Sequence, residues 1–398
     1  MLLLLVAAAG TTVAQNALLT PTEQLGKSIF FDENLSINYN QSCAACHAPE
    51  VGWTGPDEAV NIEGAVYEGS ILERFGNRKP PSSAYATQSP ILYMDNQEQF
   101  IGGNFWDGRA TGEKLGSPAA DQAQGPFLNP MEQALPDSAC VVYRVCSAAD
   151  YPVFMQEVWG SDICAIGWPS DVETVCSQEG VEVALSPEDR EKSDLAYDKI
   201  ALSIAAYEAS SEVNAFTSKF DYSRKCKAKL TKQERKGFAL FQGKGKCAKC
   251  HISTGKKPLF TDFTYDNLGI PKNPLNPVYS YDPEFVDYGL GGFLATRPDY
   301  ASYASQNNGK HKVPSLRNVD KRPHEGFVKA YGHNGYFKSL KEIVHFYNTR
   351  DVENWPVPEV PDNVNTTELG NLGLSEEEED AIVAFLTTLT DGYVPGSK

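Results

Sequence analysis

Cys43-Ala44-Ala45-Cys46-His47 is matched further along the chain by Cys247-Ala248-Lys249-Cys250-His251. Two cysteines three positions apart lie on one side of a helical turn, so both thiols reach the same edge of a flat macrocycle. The histidine that follows presents a ring nitrogen to a metal at the centre of that macrocycle. C-x-x-C-H is the attachment signature of a c-type haem. A redox dithiol or a zinc ion shared by two C-x-x-C pairs accounts for the cysteines. Neither explains a histidine directly after both pairs. Two covalently bound haem c groups are therefore expected.

The lead-ins to the two motifs also match. Leu19, Thr20, Glu23, Gly26, Ile29 and Phe30 keep the same spacing as Leu230, Thr231, Glu234, Gly237, Leu240 and Phe241. Downstream, Lys79, Pro81 and Ser82 echo Lys312, Pro314 and Ser315, and Trp106-Asp107-Gly108 echoes His333-Asn334-Gly335. A repeat of this length sets the architecture. Each half also ends in a helical pattern. The first covers residues 189–216, with Ile200, Ile204 and Tyr207 at helical spacing. In the second, Ser375 and Glu378 form a capping box ahead of Ile382, Phe385, Leu386 and Leu389. The expected fold is mainly α, with two tandem cytochrome c-like domains at 18–220 and 221–398, each carrying one haem. The join falls near 218–229. Residues 271–303, rich in Pro, Gly, Asn and Tyr, read as a long irregular loop.

The 398 residues carry 35 Lys plus Arg against 52 Asp plus Glu, a formal charge of −17. Nucleic-acid binding needs basic stripes, so it is excluded, and anionic membrane surfaces repel such a chain. A basic protein partner is allowed. Residues 2–9 form an apolar run too short to span a bilayer. With Thr12 and Ala14 as small residues before a cleavage point, 1–14 reads as a signal peptide, although no Lys or Arg precedes the run. No other stretch suits a membrane span. The expectation is a soluble, exported, periplasmic protein.

The chain resembles the dihaem bacterial cytochrome c peroxidase and MauG superfamily over nearly its whole length, and its MauG- or MbnH-like branch in particular. The resemblance rests on both C-x-x-C-H motifs, FWDGRA from Phe105, QAQGPFLNPMEQ from Gln122, KVPSLRN from Lys312 and YGHNGYFKSLKEIVHFYN from Tyr331. It implies a peroxidatic haem in the first domain and an electron-transfer haem in the second. Standard peroxidases of this family place a second histidine over the first haem, in the loop after the first motif. Here residues 48–85 contain neither His nor Met. The first haem then has His47 on one face and an open face for peroxide, with Lys79 or a methionine as rival ligands. The family's Gln, Pro and Glu match Gln122, Pro126 and Glu132, although the turn at 114–120 looks inserted. Breaking an O–O bond moves a proton between the two oxygens, which suits Glu132 as general acid-base, with Gln122 orienting the peroxide. Trp106 matches the tryptophan between the two haems, as an electron relay, a core residue, or both.

None of the four methionines follows the second motif, so a His/Met second haem is not expected. The family position for that ligand, fourteen residues beyond His333, is Tyr347, with His345 as rival. A phenolate on ferric iron lowers its reduction potential, where Met raises it. The resemblance also implies one Ca²⁺ between the domains, held by Asn77 and the carbonyls of Val328 and Ala330. Five cysteines remain. Cys164–Cys176 is the preferred disulfide, then Cys140–Cys146, with Cys226 a buried free thiol. Three functions follow: MauG-like oxidation of a protein substrate by hydrogen peroxide, peroxide removal fed by a small redox protein, or plain dihaem electron carriage. Glu132, Gln122 and the missing distal ligand argue against the third. Oligomeric state is not legible.

Overall fold

A computed structural model describes residues 18–396. The expected signal peptide, 1–14, lies outside the described residues. The principal helices are α1 (Pro21–Phe30), α2 (Pro118–Leu128), α3 (Ser138–Ser147), α4 (Pro187–Ala209), α5 (Lys219–Arg224), α6 (Lys232–Gln242), α7 (Leu340–Thr349) and α8 (Glu376–Thr387). Two short antiparallel pairs accompany them, Tyr93–Met94 with Phe100–Ile101 and Tyr265–Asp266 with His311–Lys312. Long irregular segments connect the rest.

The repeat in the sequence is a repeat in space. Thr20 and Glu23 form a capping box that starts α1, and Thr231 and Glu234 form the equivalent box on α6. Each box satisfies otherwise unpaired N–H groups at the helix start, which fixes where the helix begins. Helix α1 packs on α4, and α6 packs on α8. Glycine is required at both crossings. A Cβ on Gly26 would lie 1.8 Å from the Ser203 carbonyl oxygen, and one on Gly237 would lie 1.8 Å from that of Ala381. One apolar core runs from Leu25 to Val213 and another from Phe220 to Leu389. The capping box of Ser375 and Glu378 starts α8 as expected.

The halves meet through exchanged backbone bonds. The Lys79 N–H donates to the His333 carbonyl, and the Lys312 N–H donates to the Trp106 carbonyl, both at 2.8 Å. These are the repeat-equivalent positions, each half completing the other.

Several expectations need correction. The helix expected over 189–216 ends at Ala209. Beyond it Asn214 turns back to accept the Tyr85 N–H at 2.6 Å, and Phe216 packs edge-on against Tyr85. The loop at 271–303 contains two short helices, Val278–Tyr281 and Gly289–Leu294. The disulfides are Cys140–Cys176 and Cys146–Cys164, not the expected pairs. Cys140 and Cys146 lie on one helix, where six residues rise about 9 Å, too far for a bridge. Cys226 is free but exposed, not buried.

The bridges close segments with sequence separations of 36 and 18 residues, and each should stabilise the first half by about 3–4 kcal/mol on a chain-entropy basis. Replacing Cys140 and Cys176 by alanine is expected to lower the denaturation midpoint without loss of haem. An unchanged midpoint would show that the helices alone hold this region.

Candidate functional site

Each C-x-x-C-H motif starts on a short 3₁₀ turn, Cys43–Ala45 in one half and Cys247–Lys249 in the other. The turn is closed by the histidine, whose N–H donates to the first cysteine carbonyl at 3.1 Å for His47 and 2.9 Å for His251. The thiols of Cys43, Cys46, Cys247 and Cys250 are free. Nδ1 of His47 is 3.2 Å from the Trp53 carbonyl, and Nδ1 of His251 is 2.8 Å from that of Phe260. A carbonyl at Nδ1 fixes that nitrogen as the donor and leaves Nε2 to bind a metal. Burial lowers His47 to about 4 and lowers His251 as well, so both rings are neutral, the form that ligates.

His47 lines a cavity of about 490 Å³ together with Cys43, Cys46, Gln122, Pro126 and Glu132. Helix α2 carries Gln122 and Pro126. Ser117 caps it, its side chain accepting the Ala120 N–H, so the turn at 114–120 leads directly into the helix start. The turn after α2 returns Glu132 to the same wall. Asn129 Nδ2 donates to Glu132 Oε1 at 2.8 Å. Burial raises the Glu132 carboxyl, partly offset by the Arg109 charge and the Asn129 bond. Among the described residues His47 is the one histidine lining this cavity. Lys79, a rival ligand, has its ammonium tied to Thr54 Oγ1 at 2.7 Å and the Pro80 carbonyl at 2.9 Å. Met131 also lines the wall.

His251 is flanked by two further cavities, both lined by Cys247, His251 and Tyr347. Tyr347 lies on α7, where burial raises its phenol far above the usual range. A nearby trivalent iron is the kind of charge that ionises such a group. His345, the rival, turns away. Its Nδ1 is 2.9 Å from Glu379 and its Nε2 3.1 Å from Glu353, with 38% of the side chain exposed. Trp106 lines all three cavities. Its indole N–H donates to the Lys79 carbonyl at 2.8 Å, which fixes the ring between them.

These residues suit two haems. Beside the second site the rings of His311 and His333 stack 3.6 Å apart, with Nε2 of His311 3.4 Å from Asp287 and Nε2 of His333 3.7 Å from Glu359. Both line a cavity of the His251 site. Nearby Asp287 is taken up by Arg78 through both carboxylate oxygens, at 2.6 and 2.7 Å. Near the expected calcium donors, the Val328 carbonyl accepts from Asn61 Nδ2 at 3.3 Å, and the main-chain carbonyl of Asn77 accepts from Asn276 Nδ2 at 2.8 Å. Lys329, between Val328 and Ala330, is buried, and desolvation, then the neighbouring Lys79, hold its ammonium well below the usual lysine range.

Sequence reading missed Glu208, which lines the His47 cavity. It follows Tyr207 at the end of α4 and is 4% exposed. Burial pushes it up to about 8, with Ser83 opposing. The folded state therefore binds a proton that the unfolded state releases near its ordinary value of 4.5. Stability falls as pH rises from about 4.5 to about 8. Glu208→Gln should melt like wild type at pH 4 and above it at pH 8. Parallel pH profiles would mean that Glu208 ionises without cost.

The di-haem cytochrome c peroxidase family model matches residues 20–229. The methylamine utilization protein MauG of Paracoccus denitrificans is 33% identical over 408 aligned positions, covering 98% of this chain and 94% of that protein. A cytochrome-c peroxidase, IdrP2, of a Pseudomonas species is 26% identical, covering 92% of this chain and 80% of that protein. The crystal structure of the diheme peroxidase BthA from Burkholderia thailandensis superposes with a TM-score of 0.74 at 28% identity, covering 94% of this chain and 88% of that one.

Proposed function

The chain belongs to the di-haem cytochrome c peroxidase and MauG family, and from that premise we propose that it uses hydrogen peroxide at an open first haem to oxidise a protein substrate. It is a haem-dependent oxidoreductase acting on peroxide. One observation carries the reading of the first site: Gln122, Pro126 and Glu132 line the His47 cavity, and among the described residues no second histidine does.

Haem held by Cys43, Cys46 and His47 supplies the redox-active iron at which peroxide is reduced. The chain supplies the rest. His47 is oriented by the Trp53 carbonyl. Glu132 takes the proton from the inner peroxide oxygen and returns it to the outer one, the oxygen that leaves as water. Its raised carboxyl suits both directions of transfer. Gln122 offers an amide to orient the peroxide. Pro126 has no N–H to donate and adds a stiff, apolar wall. Trp106 provides an aromatic station between the cavities. Cys247, Cys250 and His251 would hold the second haem, and Tyr347 is the residue available to its iron.

Tyr347 favours protein oxidation over the second reading, peroxide removal fed by a small redox protein, because a phenolate stabilises higher oxidation states. The names of some relatives favour that second reading. Two disulfides support export to the oxidising periplasm. No helix among the described residues is long and apolar enough to cross a membrane. The resting ferric protein is expected to show one high-spin and one low-spin haem by electron paramagnetic resonance. Two low-spin signals with no high-spin component would leave only electron carriage.

A further inference from the structure

Four side chains from four separate segments of the second half converge beside the His251 cavity. His311 lies on the strand that pairs with Tyr265–Asp266, and His333 lies in the turn whose carbonyl accepts the Lys79 N–H. Asp287 precedes the short helix Gly289–Leu294, and its Oδ1 accepts the Gly289 N–H at 2.9 Å. Glu359 Oε1 accepts the Asp287 N–H at 3.0 Å. One ligand atom from each of Asp287, His311 and His333 lies within 4.8 Å of the other two. Glu359 Oε2 is 3.7 Å from His333 Nε2. None of the four side chains is more than 10% exposed.

The Gly309 carbonyl, 3.1 Å from His311 Nδ1, fixes that nitrogen as the donor and leaves a lone pair on Nε2, 3.4 Å from Asp287. A lone pair beside a carboxylate calls for a cation between them. The charges around the cluster call for the same. Arg78 of the first half grips Asp287 at 2.6 and 2.7 Å and Asp107 at 2.5 Å, and Arg109 meets Asp107 from its other side. Among the described residues no lysine or arginine pairs with Glu359, so the carboxylates outnumber the arginines at the histidine end. We propose that Asp287, His311, His333 and Glu359 form a site for one divalent transition-metal ion of the zinc type, with Arg78 orienting its aspartate. Two imidazoles with carboxylates suit such an ion, whereas calcium takes oxygen ligands. The donor set is therefore distinct from that of the expected calcium site. A carboxylate offers about four lone-pair sites, so the Arg78 bonds orient Asp287 without exhausting it. Tetrahedral ligands about 2.1 Å from an ion stand about 3.4 Å apart, and side-chain shifts of about 1 Å close the set. Trp106 and both histidines line the same cavity, so the ion would place a fixed positive charge beside the second haem. The inference holds for either peroxide-using reading of the haems.

The test uses the dihaem holoprotein, with the exposed Cys226 replaced by serine in every sample so that its thiol takes up no zinc. The protein is dialysed against zinc chloride with excess calcium, then against zinc-free buffer. Its metals are measured by mass spectrometry, and the haem iron counts the chains. About one zinc per two irons is expected in the parent protein and less than about one-tenth of that in His311→Gln. X-ray absorption at the zinc edge should show scattering from two imidazoles, with Zn–N distances of about 2.0–2.1 Å. If His311→Gln fails to fold, Glu359→Gln, which keeps the acceptor for the Asp287 N–H, takes its place and should lose zinc likewise. A parent protein that holds its two irons and no zinc overturns the proposal and leaves the four groups to protons or a haem carboxylate. Zinc retained equally by the parent and the folded variants also overturns it.

Discussion

Replacing Glu132 by glutamine is expected to slow peroxide-driven turnover by about 10²-fold or more while both haems stay attached. The substitution keeps the shape, and the glutamine oxygen still accepts from Asn129 Nδ2, now 2.8 Å from Glu132 Oε1. What it removes is a proton that can leave and return. A buried carboxyl whose affinity for protons is raised by its surroundings matches the task better than one in water would. Peroxide should still bind, because the open face and Gln122 are untouched. Stopped-flow spectra separate the steps. Normal binding followed by a slow second phase is the expected pattern. Rates equal to wild type would reduce Glu132 to a structural carboxylate.

Tyr347→Phe should act on the second haem alone. Losing an anionic ligand from ferric iron is expected to raise that haem's reduction potential by on the order of 100 mV or more. The low-spin signal should change, and the fully ferric protein should lose its reaction with peroxide in the absence of a donor. His345→Gln is the control. Its imidazole joins α7 to α8 through Glu379 and meets the exposed Glu353 on its other side, away from the His251 cavity, so neither signal nor potential should move. A Tyr347→Phe protein that keeps the wild-type spectrum would remove the phenolate. If the wild-type ferric protein needs prior reduction before it reacts, the donor-fed reading replaces protein oxidation.

Helical geometry explains why Tyr347 and His345 part company although the sequence left both open. Residues two apart on a helix differ by about 200°, so the one that faces the His251 cavity turns the other outward. The repeat was legible in the matching positions of Thr20, Glu23 and Gly26 with Thr231, Glu234 and Gly237, and the capping box of Ser375 and Glu378 because it is a local rule; that the other pairs are also capping boxes emerged only with the structure. Gln122, Pro126 and Glu132 were legible through the family resemblance, whose Gln, Pro and Glu they match at the expected separations. The disulfides were not, since pairing depends on how α3 docks and not on which cysteines are neighbours in sequence. Glu208 was hidden because a glutamate near a helix end is ordinarily a solvated charge, and only packing makes it otherwise.

The exchanged bonds between Lys79 and His333, and between Lys312 and Trp106, have the reciprocity of an isologous contact: position one on the first half meets position two on the second, and the reverse. Two copies of a single ancestral half would make the same pair of bonds as a symmetric homodimer. Within one chain the same reciprocal contact leaves each half free to differ at its own site, as Glu132 in the first half and Tyr347 in the second do, without altering what keeps the pair together.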